Sequence, residues 1–100
     1  MQHRPAPSAP LQPDPALLAD LPGWSLADAG LALSRTYRFG QYLDGIAFVN
    51  RIAQFAEAED HHPALIVGWR EVTVRWTTHD AGGLTERDLR CAKLTDQAAA

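Results

Sequence analysis

Three of the four histidines in this chain lie between residues 61 and 79, close to several carboxylates. The run Glu57-Ala-Glu-Asp-His61-His62-Pro63 holds two of them, and His79 and Asp88 follow. Histidine is the side chain whose unperturbed pKa lets it act as an acid or a base near neutral pH. The cluster therefore indicates proton-transfer chemistry, provided that the fold brings these residues together.

The spacing predicts how the imidazoles are presented. Glu57 and His61 are four residues apart, so in a continuous helix they are neighbours on one face. His62 follows about 100° further round, and Pro63 turns the chain out of the helix. His79 is predicted to lie just past the end of a strand. In a small antiparallel sheet a helix end and a strand end can meet around one pocket, which would bring the histidines together.

Each of these residues also has an explanation without chemistry. Cations are favoured at the C-terminus of a helix, so His61 and His62 could simply form a polar helix end. His79 could be a loop residue, and Glu57 a solvated helix position. Thr85-x-x-Asp88 is a capping-box variant, in which Asp88 closes the first turn of a last helix. The residue pattern alone leaves both interpretations open.

A metal site is the main chemical alternative, because His61, His62, His79 and Asp88 could supply four ligands. Side chains of adjacent histidines diverge, however, and the i, i+4 spacing of helical zinc motifs is absent. We therefore predict no metal. The single cysteine, Cys91, falls in a helical pattern and is predicted to be a buried apolar residue rather than a catalytic thiol. The chain also offers no Gly-rich phosphate loop and no serine elbow.

Composition narrows the class of protein. One hundred residues suffice for one small domain, and 46% apolar with 21% charged residues is typical of a globular chain. The net charge of −3 and the scattered basic residues argue against nucleic acid as a partner. No run is long enough to cross a membrane and no signal-peptide segment is visible, so we expect a soluble, cytoplasmic protein.

Periodicity predicts the order helix, strand, strand, helix, strand, strand, helix. The fold class is therefore α+β, with a four-stranded antiparallel sheet and the helices packed on one face. Residues 1–12 are rich in proline and predicted to be a disordered tail, and residues 13–97 a single domain. The predicted elements are a helix capped by Asp14, strands at 24–26 and 31–39, a helix at 42–60, strands at 64–67 and 72–76, and a helix from Thr85.

The spaced residues resemble the pterin-4a-carbinolamine dehydratases, also known as dimerisation cofactors of a homeodomain transcription factor. That family's pattern is an acid, three positions, His-His-Pro, five positions, an aromatic, nine positions, a histidine and then an acid. This chain matches it with Glu57, His61, His62, Pro63, Trp69, His79 and Asp88. Trp24, Tyr37-Arg38-Phe39 and Gly83-Leu84-Thr85 extend the resemblance. Cys91 and Thr95 depart from the family's usual leucine and aliphatic residue, which concerns packing more than chemistry.

The resemblance implies a catalytic role for His61, His62 and His79 in dehydrating 4a-hydroxytetrahydrobiopterin to the quinonoid dihydropterin. His61 and His79 would be the acid and base pair, with His62 assisting. Binding or supporting roles would fall to Asp88, Glu57, Trp69 and Trp24. No metal or cofactor is required, and the activity would serve tetrahydropterin recycling beside an aromatic amino acid hydroxylase.

The resemblance also implies a homodimer or homotetramer. Sheet edges must be covered or paired, and we expect the strand Leu31–Phe39 to pair with its copy across a two-fold axis. The alternative function is an oligomeric protein-binding module that acts as a transcriptional dimerisation cofactor.

Overall fold

The computed structural model describes residues 9–100, which form four strands and two long helices. Residues 1–8 of the predicted tail, with His3, lie outside the described residues. Short 3₁₀ turns occupy Pro15–Leu18, Asp28–Gly30 and His79–Ala81. The main elements are β1 (Ser25–Ala27), β2 (Ala32–Arg38), α1 (Tyr42–Glu59), β3 (Ala64–Val67), β4 (Glu71–Trp76) and α2 (Glu86–Ala99).

The four strands form one antiparallel sheet in the order β1-β2-β4-β3. Alternation along β4 explains the core, because Val72, Val74 and Trp76 all point to the same face and are fully buried. Phe48 and Ile52 of α1, together with Cys91 and Ala92 of α2, pack against that face. The predicted α+β fold, with helices on one face of a four-stranded antiparallel sheet, is confirmed.

The first predicted helix is only a 3₁₀ turn. Asp14 caps it as expected, since its carboxylate accepts a hydrogen bond from the Ala16 backbone N–H at 2.9 Å. Pro22-Gly23 leaves too few residues for a stable α-helix, and short segments of this kind adopt 3₁₀ geometry. Upstream, the backbone N–H of Leu11 donates to the Leu84 carbonyl at 2.6 Å.

Helix α1 ends before the histidines. Asp60 adopts the left-handed conformation at φ 52°, and its N–H donates to the carbonyls of Ala56 and Glu57. Aspartate tolerates this conformation better than most residues, so α1 ends a full turn before the helix-breaking Pro63. His61 and His62 therefore lie beyond the helix, and the expected i, i+4 alignment of Glu57 with His61 is not formed.

The expectation that Leu31–Phe39 pairs with its copy does not hold at Ala32–Ser34, where β1 already occupies the second side of the strand, and stays a prediction for the rest of the strand. β2 lies inside the sheet, between β1 and β4. β4 covers one side from Leu33 to Arg38, and β1 covers Ala32–Ser34 on the other. The edge strands are β1 and β3. Within residues 9–100, neither helix is long and apolar enough to span a membrane.

Candidate active site

His61 and Asp88 form a buried pair at the end of the sheet. His61 Nε2 lies 2.6 Å from Asp88 Oδ1, with His61 only 8% exposed and Asp88 fully buried. The turn after α1 supplies the histidine, and the first turn of α2 supplies the carboxylate. Two elements remote in sequence thus meet at one hydrogen bond.

The second oxygen of Asp88 is also occupied. Asp88 Oδ2 accepts hydrogen bonds from the backbone N–H of Thr85 at 2.9 Å and from the hydroxyl of Thr78 at 2.7 Å. The first bond belongs to the capping box that starts α2, so the predicted cap is present. Since both donors act on Oδ2, Oδ1 is the oxygen that is left to face His61 Nε2.

The His61 ring is fixed in orientation by Trp76. The two rings stack with centroids 5.3 Å apart and an interplanar angle of 23°. With Nε2 held by Asp88, Nδ1 makes no hydrogen bond to any residue in 9–100, yet it is not sealed in the interior. Nδ1 is therefore the ring nitrogen that can exchange a proton with a molecule in the adjoining cleft.

That cleft has a volume of about 180 Å³ and is polar. It brings together all three histidines that the sequence analysis singled out. Its lining comprises Asp60, His61, His62, Thr77, Thr78, His79, Asp80 and Arg87. Asp88 lies directly behind His61, so the predicted cluster forms around one opening.

His62 and His79 also line the cleft, and both are exposed. Glu57 Oε1 lies 2.6 Å from His62 Nε2, so this carboxylate pairs with His62 and not with His61 as the helical spacing predicted. His79 begins the 3₁₀ turn after β4. Its imidazole makes no hydrogen bond to residues 9–100 and is free to turn toward a bound molecule.

Arg87 and Thr78 are cleft residues that the sequence analysis missed. Arg87 Nη2 donates to the Asp60 carbonyl at 2.6 Å, which places a cation beside the left-handed turn. Thr78 Oγ1 lies 2.8 Å from Thr85 Oγ1 as well as bonding Asp88. Their positions in the sequence could have identified them, because Thr78 directly precedes His79 and Arg87 directly precedes Asp88.

The two predicted tryptophans lie away from the cleft. Trp24 is buried, and its indole N–H donates to the Asp96 carboxylate at 3.0 Å. Tyr37 donates to the same carboxylate, and burial together with Asp96 raises the pKa of Tyr37 above its usual range. Trp69 is 70% exposed in the turn between β3 and β4, at the other end of the sheet from His79.

The departures at Cys91 and Thr95 are explained by packing. Thr95 is fully buried, and its hydroxyl accepts from the Trp76 indole N–H at 3.0 Å and donates to the Cys91 carbonyl at 2.7 Å. It thereby fixes the ring that supports His61. Burial raises the pKa of the Cys91 thiol to about 12, so this thiol stays protonated near neutral pH.

Metal ligation was the chemical alternative for the same residues. Across residues 9–100, no three or more His, Cys, Asp or Glu side chains are grouped so that they could hold a metal ion. His61 Nε2 and Asp88 Oδ1 are engaged with each other, and His62 Nε2 with Glu57. The described geometry is that of hydrogen-bonded acid–base pairs.

Fold and cleft together describe a small α+β protein in which three histidines line one cleft and a buried carboxylate lies behind one of them. The chain belongs to the pterin-4-alpha-carbinolamine dehydratase family, whose sequence profile, described as pterin 4 alpha carbinolamine dehydratase, matches residues 11–98. The predicted family is thereby confirmed, and with it the class of enzyme, a dehydrating lyase.

Relatives from Xanthomonas carry the same name. Proteins of Xanthomonas euvesicatoria pv. vesicatoria (strain 85-10) and Xanthomonas campestris pv. campestris (strain 8004), called pterin-4-alpha-carbinolamine dehydratase, are each 54% identical over 81 residues. These alignments cover 81% of this chain and 69% of each relative. The similarity therefore extends over most of both chains.

Solved structures share the fold. A Brucella melitensis protein described as a transcriptional coactivator/pterin dehydratase superposes with a TM-score of 0.80 at 30% identity, over 85% of this chain and 90% of its own. A pterin dehydratase-like protein identified as a RuBisCO assembly factor in the α-carboxysome has a TM-score of 0.61 at 24% identity, over 69% and 80% of the chains. The second likeness concerns the fold alone.

Proposed function

We propose that this protein dehydrates a 4a-hydroxytetrahydropterin to the quinonoid dihydropterin and water by histidine acid–base catalysis. The observation that carries this proposal is the Asp88-anchored His61 beside a cleft that also holds His62 and His79. Family membership supports the substrate class. Imidazoles suit the two proton transfers of the reaction near neutral pH.

His61 is the base in the proposed step. Asp88 holds the proton on Nε2, so Nδ1 presents a lone pair to the cleft. The pterin N5–H gives its proton to Nδ1, and the electron pair of that bond forms the N5–C4a double bond. The C4a–O bond breaks as this double bond forms, and the hydroxyl, protonated by the acid, leaves as water.

His79 is the proposed acid for the departing hydroxyl. It reaches the cleft from an exposed 3₁₀ turn and is not held by another described side chain, so it can exchange protons with solvent between turnovers. His62, paired with Glu57, binds the pterin and assists. Arg87 contributes a cation to the wall of the same cleft.

The proposed step needs no metal and no organic cofactor, because both proton transfers are made by side chains. Activity after dialysis against EDTA should therefore equal activity before it. A cytoplasmic location, a homo-oligomer and a role in tetrahydropterin recycling beside an aromatic amino acid hydroxylase belong to the same proposal. No described contact favours the binding-module alternative, although the Brucella melitensis protein is described as a coactivator.

The test is spectrophotometric. Freshly generated 4a-carbinolamine is mixed with the protein, and formation of the quinonoid product is followed against buffer. We expect acceleration by the wild-type chain and by His3→Ala, which alters the one histidine outside the cluster. A rate equal to that in buffer would overturn the proposed function.

A further inference from the structure

Thr78 is connected to both histidines that the proposed reaction uses for proton transfer. It directly precedes His79 in the chain, and its hydroxyl bonds the carboxylate of Asp88, which holds His61. Thr78 is only 3% exposed. Burial of a hydroxyl costs free energy unless it is hydrogen-bonded, and Thr78 takes no proton from the pterin in the proposed step. Its bonds therefore point to a role in placing other residues.

The hydrogen bonds around Thr78 have a defined direction. A hydroxyl has one proton to donate, and Asp88 Oδ2 accepts that of Thr78 at 2.7 Å. The 2.8 Å bond between Thr78 Oγ1 and Thr85 Oγ1 is therefore donated by Thr85. Thr85 Oγ1 in turn accepts from the backbone N–H of Arg87 at 3.3 Å. Three donors follow one another in a chain that ends on the carboxylate.

This chain fixes the orientation of Asp88. Thr78, Thr85 and Asp88 are all buried, so the donor dipoles act on the carboxylate with little screening by water. Successive donors polarise one another and stabilise negative charge at the end of the chain. With Oδ2 held in this way, Oδ1 stays directed at His61 Nε2, which lies 2.6 Å away. The orientation of His61 thus depends on the hydroxyl of Thr78.

The backbone of Thr78 determines the position of His79. Its N–H donates to the Gly83 carbonyl at 3.1 Å, and the Gly83 N–H donates to the Thr78 carbonyl at 3.4 Å. This isolated bridge closes the loop of residues 79–82 at its base. Thr78 is also the N-cap of the 3₁₀ turn that begins at His79. One residue therefore links the turn that carries His79 to the carboxylate that holds His61.

We propose that Thr78 is a positioning residue for the reaction, which orients His61 through Asp88 and places His79 through its own backbone. This inference rests on the proposed function for the reaction in which the two histidines act. The hydrogen-bond chain itself does not depend on that function. A residue that only filled the core would contribute to stability and leave kcat of the folded protein unchanged.

Replacing the hydroxyl tests the side-chain role. Thr78→Val keeps the shape and the backbone bonds but removes one donor from Asp88. We expect kcat of the folded protein to fall roughly ten- to a hundredfold, the size of one lost hydrogen bond to a charged group. KM should hardly change, because the hydroxyl proton is directed at Asp88 and not into the cleft. Thr78→Ser restores the donor and should recover most of the rate.

A matched control lies on the exposed face of the sheet. Thr36 Oγ1 and Thr73 Oγ1 are 2.7 Å apart, so Thr36→Val also breaks a bond between two threonine hydroxyls. It should leave kcat and KM unchanged. A Thr78→Val variant that is folded and has the wild-type kcat, or a Thr78→Ser variant as impaired as the valine, would overturn the proposal.

Double variants show through which residue Thr78 acts. In an Asp88→Asn background, Thr78→Val should lower kcat much less than it does in the wild type, because the link to His61 is already weakened. In a His62→Ala background it should cost as much as in the wild type, since His62 is outside the chain. Equal losses of kcat in the Asp88→Asn background and the wild type would overturn the role assigned to Thr78.

Proton NMR gives a readout that needs no substrate. The proton in the 2.6 Å bond between His61 and Asp88 should give a low-field resonance that His61→Ala removes. Thr78→Val should shift this resonance, whereas Thr78→Ser and Thr36→Val should leave it in place. Only folded molecules contribute to it. If Thr78→Val does not fold, Thr85→Val removes the preceding donor of the chain and should shift the same resonance.

The two hypotheses fail in different ways. An unmoved resonance in the folded valine variant would overturn the positioning role of Thr78, whatever the activity of the wild type. A wild type without dehydratase activity whose resonance responds as expected would instead refute the proposed function. The role of Thr78 in orienting Asp88 and His61 would then stand.

Discussion

His61 Nε2 and Asp88 Oδ1 lie 2.6 Å apart, and the same carboxylate caps helix α2 through the Thr85 N–H. The cap and the site residue are therefore one side chain with its two oxygens used for different purposes. The two explanations that the sequence left open for Asp88 do not compete. The bond that starts α2 also fixes the carboxylate against which His61 is oriented.

Replacing Asp88 should separate these two roles. In Asp88→Asn the amide oxygen can still accept from Thr85, but the site no longer has a charged acceptor for His61. We expect kcat to fall at least about tenfold, toward the roughly 10²–10⁴-fold that acid–base catalysis supplies. The free energy of unfolding should fall by only about 1 kcal/mol. Asp14→Asn makes the same change at a distant cap and should leave kcat unchanged.

A loss of activity in Asp88→Asn that is fully explained by a smaller fraction of folded protein would contradict this separation. Kinetics and urea denaturation on the same preparation decide the matter. If activity falls only in proportion to the folded fraction, Asp88 acts as a cap alone.

The histidines should rank in a defined order. His61→Ala and His79→Ala should each lower kcat by about 10²–10⁴-fold, because each removes a proton transfer. His62→Ala should raise KM more than it lowers kcat, since its partner is Glu57 rather than the buried carboxylate. If the first two act as one pair, the double variant loses little more than the worse single variant. Steady-state kinetics of folded proteins would check this, and full activity in both single variants would refute the assignment.

Thr95 should matter for stability through Trp76. Thr95→Val keeps the shape but leaves the buried indole N–H without an acceptor, which costs about 1–3 kcal/mol. Thr95→Ser retains the hydroxyl and should lose only about 0.8 kcal/mol for the missing methyl group. Urea denaturation midpoints provide the measurement. A valine variant as stable as the wild type would show that the indole bond contributes nothing.

Cys91 should make the fold sensitive to alkali. Its thiol ionises at 9.0 ordinarily and at about 12 in the fold, where burial raises the pKa. Above pH 9 the unfolded chain loses this proton while the folded chain keeps it. The contribution of Cys91 to stability is therefore complete below pH 9 and falls by about 1.4 kcal/mol per pH unit up to about pH 12. Cys91→Ala should flatten the curve between pH 9 and pH 10, below the range in which the raised pKa of Tyr37 lowers stability as well, as measured by denaturation between pH 8 and pH 10. If the stability of Cys91→Ala fell with pH as steeply as that of the wild type, the buried thiol would not be the cause.

Local patterns predicted the elements well. Alternation at Val72, Val74 and Trp76 identified the buried face of β4, and the Thr85-x-x-Asp88 spacing identified the start of α2. These features depend on neighbours in sequence, so short windows contain the information. The gathering of His61 and His79 at one end of the sheet followed from the antiparallel order of the strands.

The partners of individual side chains could not be predicted in the same way. Glu57 pairs with His62 because a left-handed Asp60 ends α1 early, and nothing in the helical spacing signals that turn. The centrality of β2 depends on pairing between strands far apart in the chain. The exposure of Trp69 has the same origin, because a hairpin directs it away from the cleft of its own chain.

The stacking of His61 on Trp76 gives the protein an internal optical probe. A protonated imidazole quenches the fluorescence of an indole in contact with it, whereas a neutral one does so far less. The rings are 5.3 Å apart, so the emission of Trp76 should follow the charge of His61. In a chain carrying Trp24→Phe and Trp69→Phe, a single spectrum per pH value would report the protonation of the proposed base without any substrate present.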